Sequence, residues 1–444
     1  MARILRLNMA RQSYHWEEVP PAYTGLGGRA LTSRLIREEV DPSCHPLSAA
    51  NKLVLAPGLL AGTFAASSGR LSVGGKSPLT GAIKEGNVGG TVSQKLARLH
   101  IKAVVLEGKP RQADGCCLVK ISPEGVEFFP ASEYEGLGNY RTMALLWKRF
   151  GRGVAVLSIG PAGEKCLTAA SIQVSDPAGR PARAAGRGGL GALMGSKKLK
   201  ALVVDDRGAP ASVPLADPEG FKAAARAWAR HLTSPPVTGQ ALPAYGTAVL
   251  VNIINEAGAL PTKNFRSGRF QYAEDISDER LAELIKQRGG KTREGCHPGC
   301  LIQCSQSYYN AKGKYLTSGC EYETHEALGA NTLIRNLDEI AHLDRLCDDL
   351  GLDTIEMGAT LGVLMEGGVI PWGSGPAALK MLKKVGKSDP WGVIIGNGSV
   401  FTGQALGLER VPPVKGQPLP ACELQPEKGV GLTHAPAAKG GTRR

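Results

Sequence analysis

The chain has 444 residues, of which 42% are hydrophobic and 21% are charged, with 58 Gly, 29 Pro and ten Cys. This apolar fraction can form large cores, and neither Gly nor Pro recurs at a fixed period, so the composition excludes a disordered chain, a collagen and a small disulfide-rich toxin. The net charge of +13 allows nucleic acid, an anionic membrane or a phosphate-bearing ligand as a partner without choosing among them. At about 100 to 200 residues per domain, the length predicts more than one domain.

The N-terminal end predicts no signal peptide, because residues 1–7 lack a long apolar stretch and a small-residue cleavage site. The longest apolar segment, residues 53–66, is interrupted by Pro57, Gly58 and Gly62 and is shorter than the ~20 residues that a membrane-spanning helix needs. We therefore expect a soluble, cytoplasmic protein. In that compartment cysteines serve as buried small side chains or metal ligands more often than as disulfides.

Residues 1–208 predict an α+β domain that is rich in strands. Short apolar runs bounded by Gly, Pro or charged residues are typical of strands in a mixed sheet. Such runs lie at residues 53–55, 103–106, 154–157 and 201–204. The proline-rich segment 209–218 cannot form a helix or a central strand, so we predict a linker there.

Beyond the linker the apolar spacing becomes helical. In residues 337–347, for example, Leu337, Ile340 and Leu343 fall on one face of a predicted helix. We predict a mainly α-helical second domain over residues 219–444. From about residue 410 the chain becomes rich in Pro, Gly and Lys, with no predicted helix or strand to close the domain, so we expect this domain to be incomplete at its C-terminal end.

Two glycine-rich, basic loops lie in the first domain, at residues 69–90 and 187–197. Glycine lets backbone N–H groups approach phosphate oxygens, and arginine offers a two-pronged donor. The second loop lacks the complete dinucleotide-binding or P-loop pattern, and each loop alone could be an ordinary turn. Two such loops in one domain favour a phosphate site, and residues 180–200, with six Lys/Arg and no acid, indicate a local anion site.

Three cysteines, Cys296, Cys300 and Cys304, lie within nine residues on a loop that also contains Gly and Pro. Thiolates are soft ligands that favour iron–sulfur clusters or zinc. The gaps of three residues match neither a zinc ribbon nor the ferredoxin pattern. The loop therefore predicts a metal or cluster site, with inert thiols as the alternative.

A cubane cluster usually has four thiolate ligands, so a further ligand is needed. The downstream candidates are Cys320, Cys347 and Cys422. Cys347 lies on the apolar face of a predicted helix, which favours a buried structural role. Cys320 stands beside two glutamates and is the better candidate of the three.

Residues 348–354 predict the end of one helix and the start of another. Gly351 supplies the left-handed conformation that ends a helix, Asp353 can cap the next one, and Glu356 would complete a capping-box pattern. A tight turn between two helices explains this pattern fully. The functional alternative is a site where the N–H groups of the new helix and the carboxylates hold a polar heterocycle.

Taken together and in this order, these segments resemble the aldehyde:ferredoxin oxidoreductase family of tungsten or molybdenum bis-pyranopterin enzymes. The resemblance runs from about Gly25 to the C-terminal end. It implies a β-rich domain that holds two pterins, helical domains above it, a [4Fe-4S] cluster, and the two-electron oxidation of an aldehyde to a carboxylic acid. It also implies a ferredoxin or ferredoxin-like iron–sulfur subunit as electron acceptor and a homo-oligomer. The segments that carry it are residues 69–90, 187–189, 296–304, 321–324 and 348–353.

The resemblance assigns roles to individual residues. Residues of both glycine-rich loops would hold the pterin phosphates and the Mg²⁺ that bridges them: Arg70, Lys76, Asn87, Gly89, Gly90, Arg187 and Gly188. A second set would contact the pterins from the helical domain: Asp348, Gly351, Leu352 and Asp353. Cys296, Cys300 and Cys304 would be the clustered metal ligands. Glu323 would be the catalytic carboxylate that accepts a proton, with Glu321 as the alternative.

Two departures from the family pattern leave alternatives open. Many members have two residues in the first cysteine gap, and the three found here fit a divergent branch that includes a reductive tungsten subunit acting on an acyl-CoA. Members also continue past the segment that ends here at Arg444, with a second pterin motif, a fourth cysteine and an active-site histidine. A truncated product, a split enzyme completed by a C-terminal subunit, and an inactive scaffold therefore remain possible. A zinc-knuckle protein that binds nucleic acid is disfavoured, because no aromatic residues alternate with the basic ones.

Overall fold

The computed structural model describes residues 2–111 and 113–421, which fall into two compact units. The first unit runs to Pro235 and also includes Gly295–Ile302, and the second consists of Pro236–Glu294 and the chain from Gln303 onward. Residues 209–217 of the predicted linker contain no helix or strand, and Pro218, its last residue, begins the next helix. The boundary between the two units nevertheless follows Pro235 rather than this linker, because the helix after the linker packs on the first unit. The predicted domain limits stay a prediction.

The first unit contains two six-stranded mixed sheets. Its strands are β1 (Arg3–Asn8), β2 (Ser13–Glu18), β3 (Leu53–Pro57), β4 (Leu71–Lys76), β5 (Ile83–Val88), β6 (Ile101–Glu107), β7 (Cys117–Ser122), β8 (Gly125–Pro130), β9 (Ala155–Ser158), β10 (Ile172–Val174), β11 (Arg183–Ala185) and β12 (Leu199–Val204). The strand order is β2-β1-β6-β3-β4-β5 in one sheet and β11-β10-β9-β12-β7-β8 in the other. All four apolar runs predicted as strands lie in these sheets, in β3, β6, β9 and β12.

Six helices accompany these strands within the described part of the first unit. They are α1 (Gly28–Glu39), α2 (Val92–Arg98), α3 (Asn139–Phe150), α4 (Pro161–Glu164), α5 (Leu190–Ser196) and α6 (Pro218–Thr233). Alternating side chains divide the strands between two cores. In β3, Leu53 and Leu55 join a large core to which both sheets contribute, whereas Val54 and Ala56 join a second core with residues of α1. The sheet that contains β7, β9 and β12 packs its other face against residues of α3.

The second unit is mainly helical over its described residues. Its helices are α7 (Leu242–Tyr245), α8 (Leu250–Glu256), α9 (Asp278–Gln287), α10 (Tyr322–Leu328), α11 (Leu337–Leu350), α12 (Thr354–Glu366), α13 (Gly375–Leu382), α14 (Pro390–Gly396) and α15 (Gly398–Ala405). A three-stranded sheet contains β13 (Lys291–Glu294), β14 (Ser305–Tyr309) and β15 (Tyr315–Ser318), and a short pair contains β16 (Pro413–Val414) and β17 (Gln417–Pro418). The prediction of an α+β fold, with a β-rich region followed by a mainly helical one, is confirmed.

Short turns of other helical types connect these elements. A π-helical turn lies at Val237–Ala241, and 3-10 turns lie at Pro21–Tyr23, Ser132–Tyr134, Thr247–Val249, Ala273–Ile276 and Ala330–Thr332. Taken singly, none of the described helices combines the length and the apolar composition needed to cross a membrane. Residues 237–245 and 247–256 meet that test only as a pair, and the two halves are bent by 97°.

The junction between α11 and α12 has the predicted local structure. Gly351 follows α11 with a φ of 72°, in the left-handed region, and the Asp353 carboxylate accepts a hydrogen bond from the N–H of Ile355 at 3.1 Å. Glu356 was expected to complete a capping box. Instead, one oxygen of its buried carboxylate accepts from both the N–H and the hydroxyl of Ser399, each at 2.8 Å.

Asn336 is the N-cap of α11, and we predict a measurable loss of stability when its side chain is removed. Its amide oxygen accepts from the N–H groups of Asp338 at 2.9 Å and Glu339 at 3.3 Å. Asn336→Ala leaves both groups without this acceptor and should lower the free energy of unfolding by about 1 kcal/mol. Urea unfolding followed by far-UV circular dichroism measures the change. Asn336→Ser keeps a capping oxygen and should lose much less, so equal losses in the two variants would contradict the capping role.

Candidate functional site

The segment Gly295–Ile302, here called the cysteine loop, is held by the turn after β5. The N–H of Gly90 donates to the carbonyl oxygen of Cys296 at 2.7 Å. A Cβ atom at Gly89 would lie only 2.7 Å from the same oxygen, so the two backbones can approach this closely only without a side chain. Gly89 and Gly90 thus place the cysteine loop, and their predicted role at the phosphate-bridging Mg²⁺ stays a prediction.

Three side chains of the cysteine loop bring ligand atoms together. The Sγ atoms of Cys296 and Cys300 and one ring nitrogen of His297 lie within 4.8 Å of one another. The His297 side chain is buried, and its Nδ1 lies 2.8 Å from the carbonyl oxygen of Pro298. Because that oxygen can only accept, Nδ1 donates this hydrogen bond, and the neutral imidazole in this arrangement would offer Nε2 as a metal ligand. Two thiols and an imidazole suit iron or zinc.

Arg70 connects the cysteine loop to the end of β5. Its Nη1 lies 3.7 Å from the Sγ of Cys296, its Nη2 donates to the carbonyl oxygen of Asn87 at 2.8 Å, and its Nε donates to the Asn87 side chain. The hydrogen bond with Cys300 and burial raise the pKa of the Cys296 thiol, while Arg183 and Arg70 act in the opposite direction. Cations beside this sulfur favour the thiolate, which is the form that binds a metal.

Three contributors to this arrangement received no role from the sequence: His297, Arg183 and Gly69. A Cβ atom at Gly69 would lie 2.6 Å from Nδ1 of His297, so the glycine makes room for the imidazole ring. Arg183 is buried and belongs to the basic stretch 180–200. That stretch was the available signal for Arg183, but the pattern does not reveal which of its cations faces the cysteines.

The basic stretch does not act as one anion site. At least three of its six cations bind partners inside the protein. Burial lowers the pKa of the Lys197 ammonium to about 8. The internal pairs are Arg180 with Asp176, Lys197 with the Asn51 carbonyl, and Lys200 with Glu164. The charge excess therefore reflects internal pairing in part, since acids outside the stretch balance some of these cations.

The structure brings the two glycine-rich loops together. The hydroxyl of Ser77 donates to the carbonyl oxygen of Gly188 at 2.7 Å, and Arg187 beside it is half-buried. Lys76 points elsewhere, because its ammonium group donates to the carbonyl oxygens of residues 42 and 44. These bonds occupy two of its three donors, and its role as a phosphate ligand stays a prediction.

Glu323 and the residues of the predicted pterin motif lie at neighbouring helix ends in the second unit. Glu323 is half-buried in the first turn of α10, and Asp353 caps α12. The hydroxyls of Thr324 and Thr354 are 3.1 Å apart, so the two helix starts are adjacent. The alternative carboxylate, Glu321, accepts from the hydroxyl of Thr247 at 2.6 Å, a contact that suits a positioning role.

The second unit also contains the rest of the predicted pterin motif and several cysteines. Asp348 is buried near the end of α11, and Gly351 and Leu352 form the turn that follows. Cys304 is half-buried and belongs to the second unit. Cys320 and Cys347 are buried, and burial raises the pKa of both thiols well above the usual value. The Cys320 thiol donates to the Asp344 carboxylate at 3.7 Å, which indicates a structural role. Cys422 lies outside the described residues.

Sequence comparisons match the chain to proteins of known type along nearly its whole length. The model "Aldehyde ferredoxin oxidoreductase, N-terminal domain" matches residues 4–206, and the model for domains 2 and 3 of the same protein matches residues 223–444. The chain is 37% identical to the tungsten-containing aldehyde ferredoxin oxidoreductases of Pyrococcus furiosus and Pyrococcus horikoshii, and each match covers 99% of this chain and 73% of the relative.

More distant matches extend the comparison. The chain is 26% identical to the WOR-like subunit of an aliphatic sulfonate oxidoreductase from Pyrococcus furiosus, over 84% of this chain and 62% of that protein. Its fold resembles the active site complex BamBC of benzoyl coenzyme A reductase in complex with 1,5-dienoyl-CoA, with a TM-score of 0.79 and 21% identity over 95% of this chain and 66% of that chain. The resemblance predicted from the motifs is confirmed, and the chain belongs to the aldehyde ferredoxin oxidoreductase family of oxidoreductases.

Proposed function

We propose that the chain oxidises an aldehyde to a carboxylic acid at a tungsten- or molybdenum-bis-pterin centre and passes the electrons through a [4Fe-4S] cluster at the cysteine loop to a ferredoxin-type carrier. The observation that carries this proposal is the convergence of Cys296 and Cys300 beside Arg70, on a loop held by the N-terminal sheets. The 37% identity to tungsten-containing relatives supports the choice of tungsten.

The donor set fits an iron–sulfur group. Cys296 and Cys300 are two soft thiol ligands, and we propose Cys304 as the third. The Arg70 guanidinium donates toward the Cys296 sulfur, and hydrogen bonds to cluster sulfurs are one of the factors that set a cluster's reduction potential. The chain's residues would thus both hold the cluster and tune it.

For the pterin phosphates we propose residues on the two adjoining glycine-rich loops. Arg70 and Asn87 are exposed at the ends of the paired strands β4 and β5, where a guanidinium group can bind a phosphate through two donors. When bound, the metal–pterin group would supply the two-electron oxidation chemistry. The proposed phosphate and Mg²⁺ residues are Arg70, Lys76, Asn87, Gly89, Gly90, Arg187 and Gly188, and the proposed pterin contacts are Asp348, Gly351, Leu352 and Asp353.

We propose Glu323 as the residue that holds a proton during turnover. A carboxylate in the first turn of a helix, half-buried and next to the cap of α12, is placed to accept a proton from the substrate or from water. Glu321 would have a positioning role, because its carboxylate already accepts a hydrogen bond from the Thr247 hydroxyl. Glu323→Gln with normal metal content and lost turnover would support this assignment.

The second candidate function is reduction of an acyl-CoA-like substrate, and the three-residue gap between Cys296 and Cys300 favours it. Assays with aldehydes and an oxidised dye, and with acyl-CoA thioesters and a reduced dye, separate the two directions. A chain that contains pterin and turns over neither substrate would support an inactive scaffold if an added C-terminal domain does not restore turnover, and a truncated or split enzyme if it does.

Cys300→Ser tests the metal assignment. Loss of a thiolate ligand should weaken metal binding by at least about tenfold, so the anaerobically purified variant should contain much less iron. Iron and sulfide analysis, with electron paramagnetic resonance of the reduced protein, measures the change. Cys44→Ser, at a half-buried cysteine of the same unit, is the control and should keep its iron. Unchanged iron in Cys300→Ser would reject the ligand, and wild-type protein without tungsten, molybdenum and pterin would reject the proposed function.

A further inference from the structure

An apolar groove of about 490 Å³ lies beside the cysteine loop within the first unit. Phe64 and Ala66 form one wall, α6 forms the second, and Gly299 and Leu301 form the third. Gly299 and Leu301 are the neighbours of Cys300 in the chain, so the third wall of the groove is part of the cysteine loop. A molecule bound in the groove would therefore contact the backbone that carries a proposed metal ligand.

The surface around this groove exposes several large apolar side chains. Phe64 is 55% exposed, Trp228 47% and Leu301 37%. Leu59 and Leu60, on the same loop as Phe64, are also exposed. Isolated exposed apolar residues are common, but a group of aromatic and aliphatic side chains around one concave surface is typical of an interaction site.

Helix α6 is anchored so that this surface stays open. None of its sixteen residues is buried. The Phe221 ring packs edge-on against Phe64, with ring centroids 5.1 Å apart, and the Trp228 Nε1 donates to the Ala66 carbonyl oxygen at 3.1 Å. These two contacts fix α6 against the loop and leave much of Phe64 and Trp228 accessible.

The net charge of α6, at the rim of the groove, is positive. Lys222 and Arg226 line the groove, and Arg230 follows at the same four-residue spacing, so the three cations lie along one side of α6. The only acid in the helix is Glu219, in its first turn, and its carboxylate lies 4.0 Å from the Lys222 ammonium, so Arg226 and Arg230 carry the net positive charge. An apolar centre with a basic rim matches a partner whose own contact surface has an apolar centre and an acidic rim.

We propose that this groove is the docking surface for a small acidic iron–sulfur protein that exchanges electrons with the metal group at the cysteine loop. The inference rests on the proposed function, because it needs electrons to leave through that loop. Each transfer moves one electron from the reduced metal group to the oxidised cluster of the carrier, and no covalent bond forms or breaks. The aromatic side chains would provide the contact area, and the cations would orient the partner and accelerate its association.

Binding of an oxidised, acidic single-cluster ferredoxin to the anaerobically purified protein tests the proposal, with calorimetry or fluorescence anisotropy at several salt concentrations. Arg226→Glu should weaken binding by about tenfold at low salt and reduce its salt dependence, because the exposed charge is screened over about 10 Å at 0.1 M salt. Phe64→Ser should weaken binding with little change in salt dependence. Arg11→Glu and Phe401→Ser, at exposed positions that do not line the groove, are the matched controls and should bind normally.

Metal content and dye-linked turnover separate this inference from the proposed function. Both groove variants should keep wild-type iron and wild-type activity with a small dye. Groove variants that bind the ferredoxin as the wild type does, or controls that lose as much affinity as the groove variants, would overturn the docking site alone. A wild-type dimer that becomes monomeric in Phe64→Ser would also overturn it, by assigning the groove to a second copy of the chain. A protein without bound iron under all conditions would instead overturn the proposed function.

Discussion

Gly89→Ala is expected to keep the fold and to lose most of its bound iron. The added Cβ would lie 2.7 Å from the carbonyl oxygen of Cys296 and 3.2 Å from its Cβ, and the Cys296 backbone fixes the position of both atoms. Relief of this clash must displace the cysteine loop and weaken the 2.7 Å hydrogen bond from Gly90 to Cys296. Metal–ligand distances tolerate only about 0.2 Å, so we expect at least about a tenfold loss of metal affinity.

Gly25→Ala is the matched control for this prediction. A Cβ at Gly25 has no other atom within 4 Å, and its φ is not in the left-handed region. Iron per chain, the spectrum of the reduced cluster and far-UV circular dichroism should be normal in this control. Gly89→Ala with wild-type iron and an unchanged cluster spectrum would show that the close approach of these backbones does not position the ligands.

Glu164→Leu is expected to lower the stability of the first unit strongly. The side chain of Lys200 is fully buried and pairs with Glu164, and its ammonium also donates to the Leu137 carbonyl oxygen at 2.8 Å. The second oxygen of Glu164 accepts from the N–H of Gly136 at 2.8 Å. Removal of the carboxylate leaves a buried positive charge without its counter-ion, which costs about 3–5 kcal/mol.

Hydrogen exchange measured by mass spectrometry can follow this loss of stability in β9 and β12. These are the central strands of the sheet that contains Lys200. The double variant Glu164→Leu with Lys200→Met provides the test of mechanism. It removes both charges, and apolar replacement of a buried ion pair is often close to neutral, so it should recover much of the protection. A double variant as unprotected as the single one would show that packing around Glu164, rather than the unpaired charge, determines the effect.

Local features of this protein could be predicted from the sequence, and its long-range contacts could not. The strands β3 and β12 follow from short apolar runs, and the turn between α11 and α12 follows from Gly351 and Asp353, because each pattern acts through neighbours in the chain. The contact of Arg70 with Cys296 joins residues 226 positions apart, and no local pattern predicts it.

Charge was the least reliable of the sequence signals. Lys76 was predicted at a phosphate, yet its ammonium binds backbone carbonyls, and at least half of the cations in residues 180–200 have internal partners. A buried cation and a ligand-binding cation look the same in a sequence, because the difference depends on which acids or carbonyls the fold brings near. The cysteines were recognised more easily, since three thiols in nine residues are informative without knowledge of their surroundings.

The cysteine loop comes late in the chain but docks on strands that are made early. The N–H groups of Ser67 and Gly90 donate to the carbonyl oxygens of Gly299 and Cys296. These hydrogen bonds can form during synthesis only after the ribosome has completed α9, because both acceptors follow that helix in the chain. No single cut in the chain can therefore release the N-terminal unit whole. A fragment that ends at residue 208 or 235 would lack the cysteine loop and leave the N–H groups of Ser67 and Gly90 without these acceptors. Production of this unit alone therefore requires a copy of the cysteine loop grafted onto the fragment.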